Sequence, residues 1–70
     1  MTKTYLVRFY TNRDVVTHDK RSWVLAYHSL LWAKRRMLDW ERFGWQGADV
    51  IDATAHYITM WVVVAHVGMD

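Results

Sequence analysis

The sequence predicts an α+β domain: a small antiparallel sheet with one helix packed on a face, in the order β-β-α-β(-β). Three observations carry this. Residues 4–11 alternate in the manner of a strand, residues 30–43 are helix formers behind a serine, and residues 49–67 are rich in β-branched and aromatic side chains. There is no proline to break any of these segments, and the three glycines all lie in the C-terminal half.

The first strand is expected over about 4–11, with Tyr5, Val7 and Phe9 on one side and Leu6, Arg8 and Tyr10 on the other. Asn12, Arg13 and Asp14 carry turn chemistry, because Asn and Asp bond their own backbone. A second extended stretch is weak at Val15-Val16-Thr17 and firm over 22–28. Its polar middle, His18 to Arg21, reads as a bulge or loop tip.

Ser29 precedes Leu30-Leu31-Trp32-Ala33 and suits an N-cap, where its side-chain oxygen accepts a free helical N–H. Leu, Ala, Lys, Arg, Met and Glu sustain a helix to Phe43, and Gly44 stands where a left-handed C-terminal cap belongs. A second reading starts the helix at Ser22, since Trp23 to Tyr27 fits either period. Beyond Gly47 the chain reads as extended again, and two strands, about 49–56 and 58–67, fit ordinary strand lengths better than one. In that reading Ile51, Ala53, Ala55 and Tyr57 share a face, as do Trp61, Val63, Ala65 and Val67.

Around the helix, Leu30, Ala33, Met37 and Trp40 fall in one arc and form the core stripe, with Leu31 and Leu38 widening it. On the far side fall Trp32, Arg35, Arg36, Asp39 and Phe43. Rings interleaved with arginines on a solvent face are the residue types that dominate binding hot spots. The candidate partner-binding set is therefore Trp32, Arg35, Arg36 and Phe43, with Arg42 beside them and Trp45 at the loop. The bland alternative is that the rings pack under a loop or against a second copy.

Composition excludes several classes. No cysteine means no disulfide and no thiolate metal site. A 70-residue chain buries only about 60% of its unfolded surface, so its eleven Trp, Tyr and Phe must supply most of the core, or a second copy must help. A formal charge of +2 argues against a mimic of nucleic acid and permits a nucleic-acid or acidic-protein partner. No basic and apolar leader is apparent at Met1 to Thr4, and the apolar run Met60 to Ala65 is far too short to span a membrane. A cytoplasmic protein is the expectation.

Catalytic signatures are weak. His18, His28, His56 and His66 match no ligand spacing, although His56 and His66 could face each other on neighbouring strands near Asp52. Asp52 itself interrupts an apolar stretch and reads as the solvent side of an edge strand. The other carboxylates, Asp14, Asp19, Asp39, Glu41, Asp49 and Asp70, fall mostly in turns or on the helix surface. No phosphate loop or nucleophile motif is present, and a one-helix domain has little room for a pocket of about 300 Å³. No catalytic residue, cofactor or metal is predicted.

The run Ser22 to His28, then Ser29-Leu30-Leu31-Trp32-Ala33, Met37, Trp40, a glycine loop and a strand resembles small bacteriophage inhibitors of host machinery. The layout is similar to T7-type inhibitors of bacterial RNA polymerase and to small anti-CRISPR proteins, over roughly residues 4–54. Lys34, Arg35 and Arg36 stand where the polymerase inhibitors carry acidic residues, so no functional residue is carried across. The resemblance implies a compact non-enzymatic protein that binds a host protein complex of transcription or defence and blocks or redirects it. A small nucleic-acid-binding protein using Lys34, Arg35, Arg36 and Arg42 is the alternative, and a nuclease or toxin using His56 or His66 is a third.

Overall fold

Tyr5, Val7 and Phe9 alternate down one side of the first strand, and everything else in the fold is arranged to cover them. The computed structural model describes residues 2–12 and 20–68. The expected turn at Arg13-Asp14, the extended reading of Val15 to Thr17, and His18 and Asp19 lie outside them, as does Asp70.

Strand β1 spans Tyr5–Asn12 and β2 Lys20–Tyr27, followed by helix α1 over Leu30–Met37. Strand β3 spans Gly47–Asp52, a 3-10 turn η1 covers Ile58–Met60, and strand β4 spans Val62–Gly68. The four strands form one antiparallel sheet in the order β2-β1-β3-β4. This is the β-β-α-β-β α+β architecture expected, with β1 and β3 inside and β2 and β4 at the edges. Since β2 is a strand, the reading that starts the helix at Ser22 is excluded.

Register fixes the two faces, because cross-strand partners project to the same side. Val7 lies opposite Leu25 and Val50, and Phe9 opposite Trp23 and Ala48. Helix α1 covers this face, resting on β1, β3 and β2. Phe9, Val7 and Val50 are the largest fully buried side chains, and Tyr5, Ala33, Met37 and Ala48 complete the central cluster. Among the described residues the opposite face, carrying Leu6, Arg8, Asp49, Ile51 and His66, has no layer over it.

The helical stripe forms as expected: Ala33 and Met37 are buried, and Leu30 and Trp40 pack against the core. Leu31 and Leu38 do not widen it, being 59% and 64% exposed. One short helix seats its Ala33–Met37 line on the sheet, and residues flanking that line project past it.

Regular α-helix also ends earlier than Phe43. After Met37 the backbone bonds tighten to three-residue spacing, Asp39 N–H to Arg36 C=O and Trp40 N–H to Met37 C=O, where Trp40 folds onto the core. The segment nevertheless closes at the expected glycine. Gly44 takes φ +78°, its N–H bonds Glu41 C=O, and the Trp45 N–H reaches back to Trp40 C=O at 2.9 Å. These are the two bonds of a Schellman ending, which places an αL residue at that position.

The C-terminal strands are displaced from 49–56 and 58–67. Strand β3 starts at Gly47 because Tyr10, its cross-strand partner, lays its ring where a Cβ at residue 47 would stand. It stops at Asp52, whose carboxylate accepts the Thr54 N–H at 3.1 Å and turns the chain. Asp52 is therefore at the end of an interior strand, not on an edge. Ala55 and Tyr57 belong to the connection. A bulge between Val50 and Ile51 leaves Val64 without a partner on β3, so Val63 pairs with Ile51 on the uncovered face while Ala65 and Val67 pack against the core. The expected common face for Val63, Ala65 and Val67 is thus broken by one inserted residue.

Candidate partner-binding face

Ser29 sets the helix that carries most of the candidate residues. Its Oγ accepts the Trp32 N–H at 3.4 Å and its carbonyl accepts the Ala33 N–H at 3.0 Å. With Ala33 and Met37 turned inward, Trp32, Arg35 and Arg36 are forced toward the outer side above β2.

Here the arginines and rings meet. The Arg36 guanidinium lies 5.9 Å from the centroid of Trp23, on β2, and 5.6 Å from that of Phe43, in the turn after α1. Its Nη1 donates to Asp39 Oδ2 at 3.2 Å, while its Nε is buried without a hydrogen-bond partner. The neighbouring π faces replace part of the hydration that this cation gives up. One turn back, Arg35 sits over the Trp32 ring at 5.3 Å. Trp32 and Phe43 remain 58% and 55% exposed. Tyr27, Trp32, Arg35, Arg36 and Asp39 line an open cleft of ≈ 390 Å³, roomier than the length of the chain suggested.

The structure therefore groups Trp32, Arg35, Arg36 and Phe43 on one continuous face. Arg42 is exposed on the turn beyond Asp39. Trp45 is placed differently: it points inward, stacks on Phe9 at 6.0 Å between centroids and packs against the core. The sequence reading missed Trp23 and Tyr27. Trp23 pairs opposite Phe9, two residues from Leu25, so strand alternation already put it on the helix side. What that alternation lacks is the position of the helix, which decides that Trp23 meets Arg36.

A second polar cluster occupies the uncovered sheet face. Asp49, buried on β3, accepts from Arg8 Nη2 at 2.5 Å and from His66 Nδ1 at 2.6 Å. The Tyr10 hydroxyl lies 3.3 Å from the same His66 nitrogen, the two rings stack, and Arg8 lies over Tyr10 at 5.6 Å. His66 thus faces Asp49 and not His56, which sits edge-on to Tyr57 in the β3–β4 connection. The hydrogen bonds from Thr54 hold the Asp52 carboxyl below its ordinary range. Among the described residues no three of His, Asp and Glu converge as metal ligands, and no helix is long and apolar enough to cross a membrane.

Comparison with known proteins finds no family, no curated protein and no solved structure that matches the chain.

Proposed function

We propose that this chain is a non-catalytic binding protein that grips a partner protein through the outer face of α1 and the adjoining edge of β2. The observation that carries this reading is the seating of Arg36 between Trp23 and Phe43. A surface cation and two large rings hold one another in place before any partner arrives. Pre-positioned Arg, Trp and aromatic side chains lose little conformational freedom on binding, which is what makes such residues hot spots. Lys34, Arg35 and Arg42 surround them, against Asp39 and Glu41, so the face suits a partner surface with exposed carboxylates around an apolar centre.

The non-catalytic half of the reading rests on the sequence, which has no cysteine, no phosphate loop and no nucleophile motif. The role we infer, blocking or redirecting a larger complex of bacterial transcription or defence, rests on the likeness of the layout to small phage inhibitors.

Capture from bacterial lysate with a tagged chain tests this. One dominant protein partner should be retained by the native chain and lost by Trp32→Ala combined with Arg36→Ala. Equal recovery by both chains would overturn the reading. The same face, with bases stacking on Trp32 and Phe43 and phosphates meeting Arg35 and Arg42, supports single-stranded nucleic acid as a second reading. Retardation of an oligonucleotide that weakens steeply with salt would select it.

A further inference from the structure

Among the described residues the largest run of exposed apolar side chains lies at the β4 edge of the sheet, opposite the β2 edge that Trp32 overhangs. Tyr57, Ile58, Met60, Val62, Val63 and Val64 are between 44% and 69% exposed, and they are nearly consecutive. This is not a frayed loop. The Trp61 indole N–H bonds Ala55 C=O at 3.0 Å, Met60 N–H bonds Tyr57 C=O at 3.0 Å, and Thr4 is tied to Thr54 from both its N–H and its C=O. A pinned connection thus holds Tyr57, Ile58 and Met60 in water, and the start of the edge strand β4 continues the run, with Val62 on the helix side of the sheet and Val63 on the opposite side. Exposed apolar runs of this kind mark interaction sites more than monomer surfaces.

We propose that this run, Tyr57 to Val64, is the contact between two copies of the chain, packed about a two-fold axis. Two arguments select a second copy as the occupant. From Ala53 to Gly68 the chain has no Asp, Glu, Lys or Arg, so the patch meets itself without like charges opposing. The helix face, with Lys34, Arg35, Arg36 and Arg42, would place cations against cations in the same arrangement. Second, the buried core is small: among the described residues Phe9, Val7 and Val50 are the largest side chains fully out of water. Small domains without disulfides or metals commonly gain their remaining stability by association.

The bulge at Val64 also says how the copies meet. It breaks the regular pairing of β4 with β3 and so bends the edge strand, which favours packing of side chains over extension of the sheet by a fifth strand. The helix face stays open in each copy, and the dimer presents it twice.

Sedimentation velocity of the whole chain over a concentration series tests the proposal. The native chain should run at twice the 8.4 kDa monomer mass. Ile58→Glu with Met60→Glu, on side chains that touch little of the core, should weaken the dimer by about tenfold or more while the circular dichroism stays unchanged. Thr59→Lys places charge in the patch without removing any apolar group, and gives the same result should the double variant unfold. Trp32→Ala should leave the dimer intact. A native chain that is monomeric throughout the series would overturn the proposal. So would a dimer that survives Thr59→Lys and a folded Ile58→Glu/Met60→Glu chain, or one that dissociates on Trp32→Ala.

Discussion

His66 on β4 places its Nδ1 2.6 Å from Oδ1 of Asp49, its cross-strand partner on β3, and so joins an edge strand to an interior one through a buried carboxylate. The other Asp49 oxygen is held by Arg8 on β1. One carboxylate therefore ties three of the four strands on the face that no helix covers.

Asp49→Ala should accordingly be among the most damaging substitutions outside the apolar core. It removes the carboxylate that joins Arg8 on β1 and His66 on β4 to β3. We expect a loss of about 2–3 kcal/mol, read from the midpoint of urea denaturation. His66→Ala leaves the Arg8 pair in place and should cost about 1 kcal/mol. Equal losses for the two would mean that Arg8 contributes nothing.

Arg36→Lys separates charge from shape at the candidate binding face. Lysine keeps the cation but cannot lie flat between Trp23 and Phe43. Stability should fall by no more than about 1 kcal/mol, as for exposed cation–π contacts, while partner capture weakens by about tenfold. Capture unchanged by this variant would reduce Arg36 to a simple charge.

Gly47→Ala sets a methyl 2.8 Å from the Tyr10 ring. Tyr10 must then swing away from His66, and the cost should be about 1–2 kcal/mol. In a Tyr10→Ala background the same change should cost roughly 1 kcal/mol less, a coupling that a double-mutant cycle measures directly.

Asp52→Asn addresses the acid limb of stability. The bonds from Thr54 lower the folded-state pKa of Asp52 below its unfolded value. The stabilisation this gives is therefore present above the unfolded pKa and is lost as pH falls through the folded one. The variant should have a lower thermal midpoint at neutral pH and a shallower decline on acidification below the ordinary carboxylate range, the two chains converging in acid. A decline as steep as in the native chain would remove Asp52 from the account.

Much of this fold was legible because local rules suffice for it. Alternation assigned Tyr5, Val7 and Phe9 to one side, and Ser29 and Gly44 marked the ends of the helical segment. The face with Trp32, Arg35, Arg36 and Phe43 followed from helical spacing alone. Other features depend on register between segments distant in sequence, which no local pattern encodes. Asp49 is an ordinary acidic residue in a strand until pairing sets it between Arg8 and His66. Trp45 looks like a loop aromatic until the Gly44 ending turns it onto Phe9. Val63 leaves the face of Ala65 because of a single unpaired residue, Val64, that nothing in a valine run announces.

The sheet order β2-β1-β3-β4 has a kinetic consequence. β1 is flanked by β2, its neighbour in the chain, and by β3, which is separated from it by the whole of β2 and α1. The hairpin and the helix can form early from nearby residues, whereas joining β1 to β3 requires closing a loop that spans both. Until that closure, Val7 and Phe9 lie half-covered and β1 offers one bare side to any other strand. The interval before β3 arrives is therefore when this chain is most exposed to aggregation, and it ends when Val50 and Ala48 pair with Val7 and Phe9.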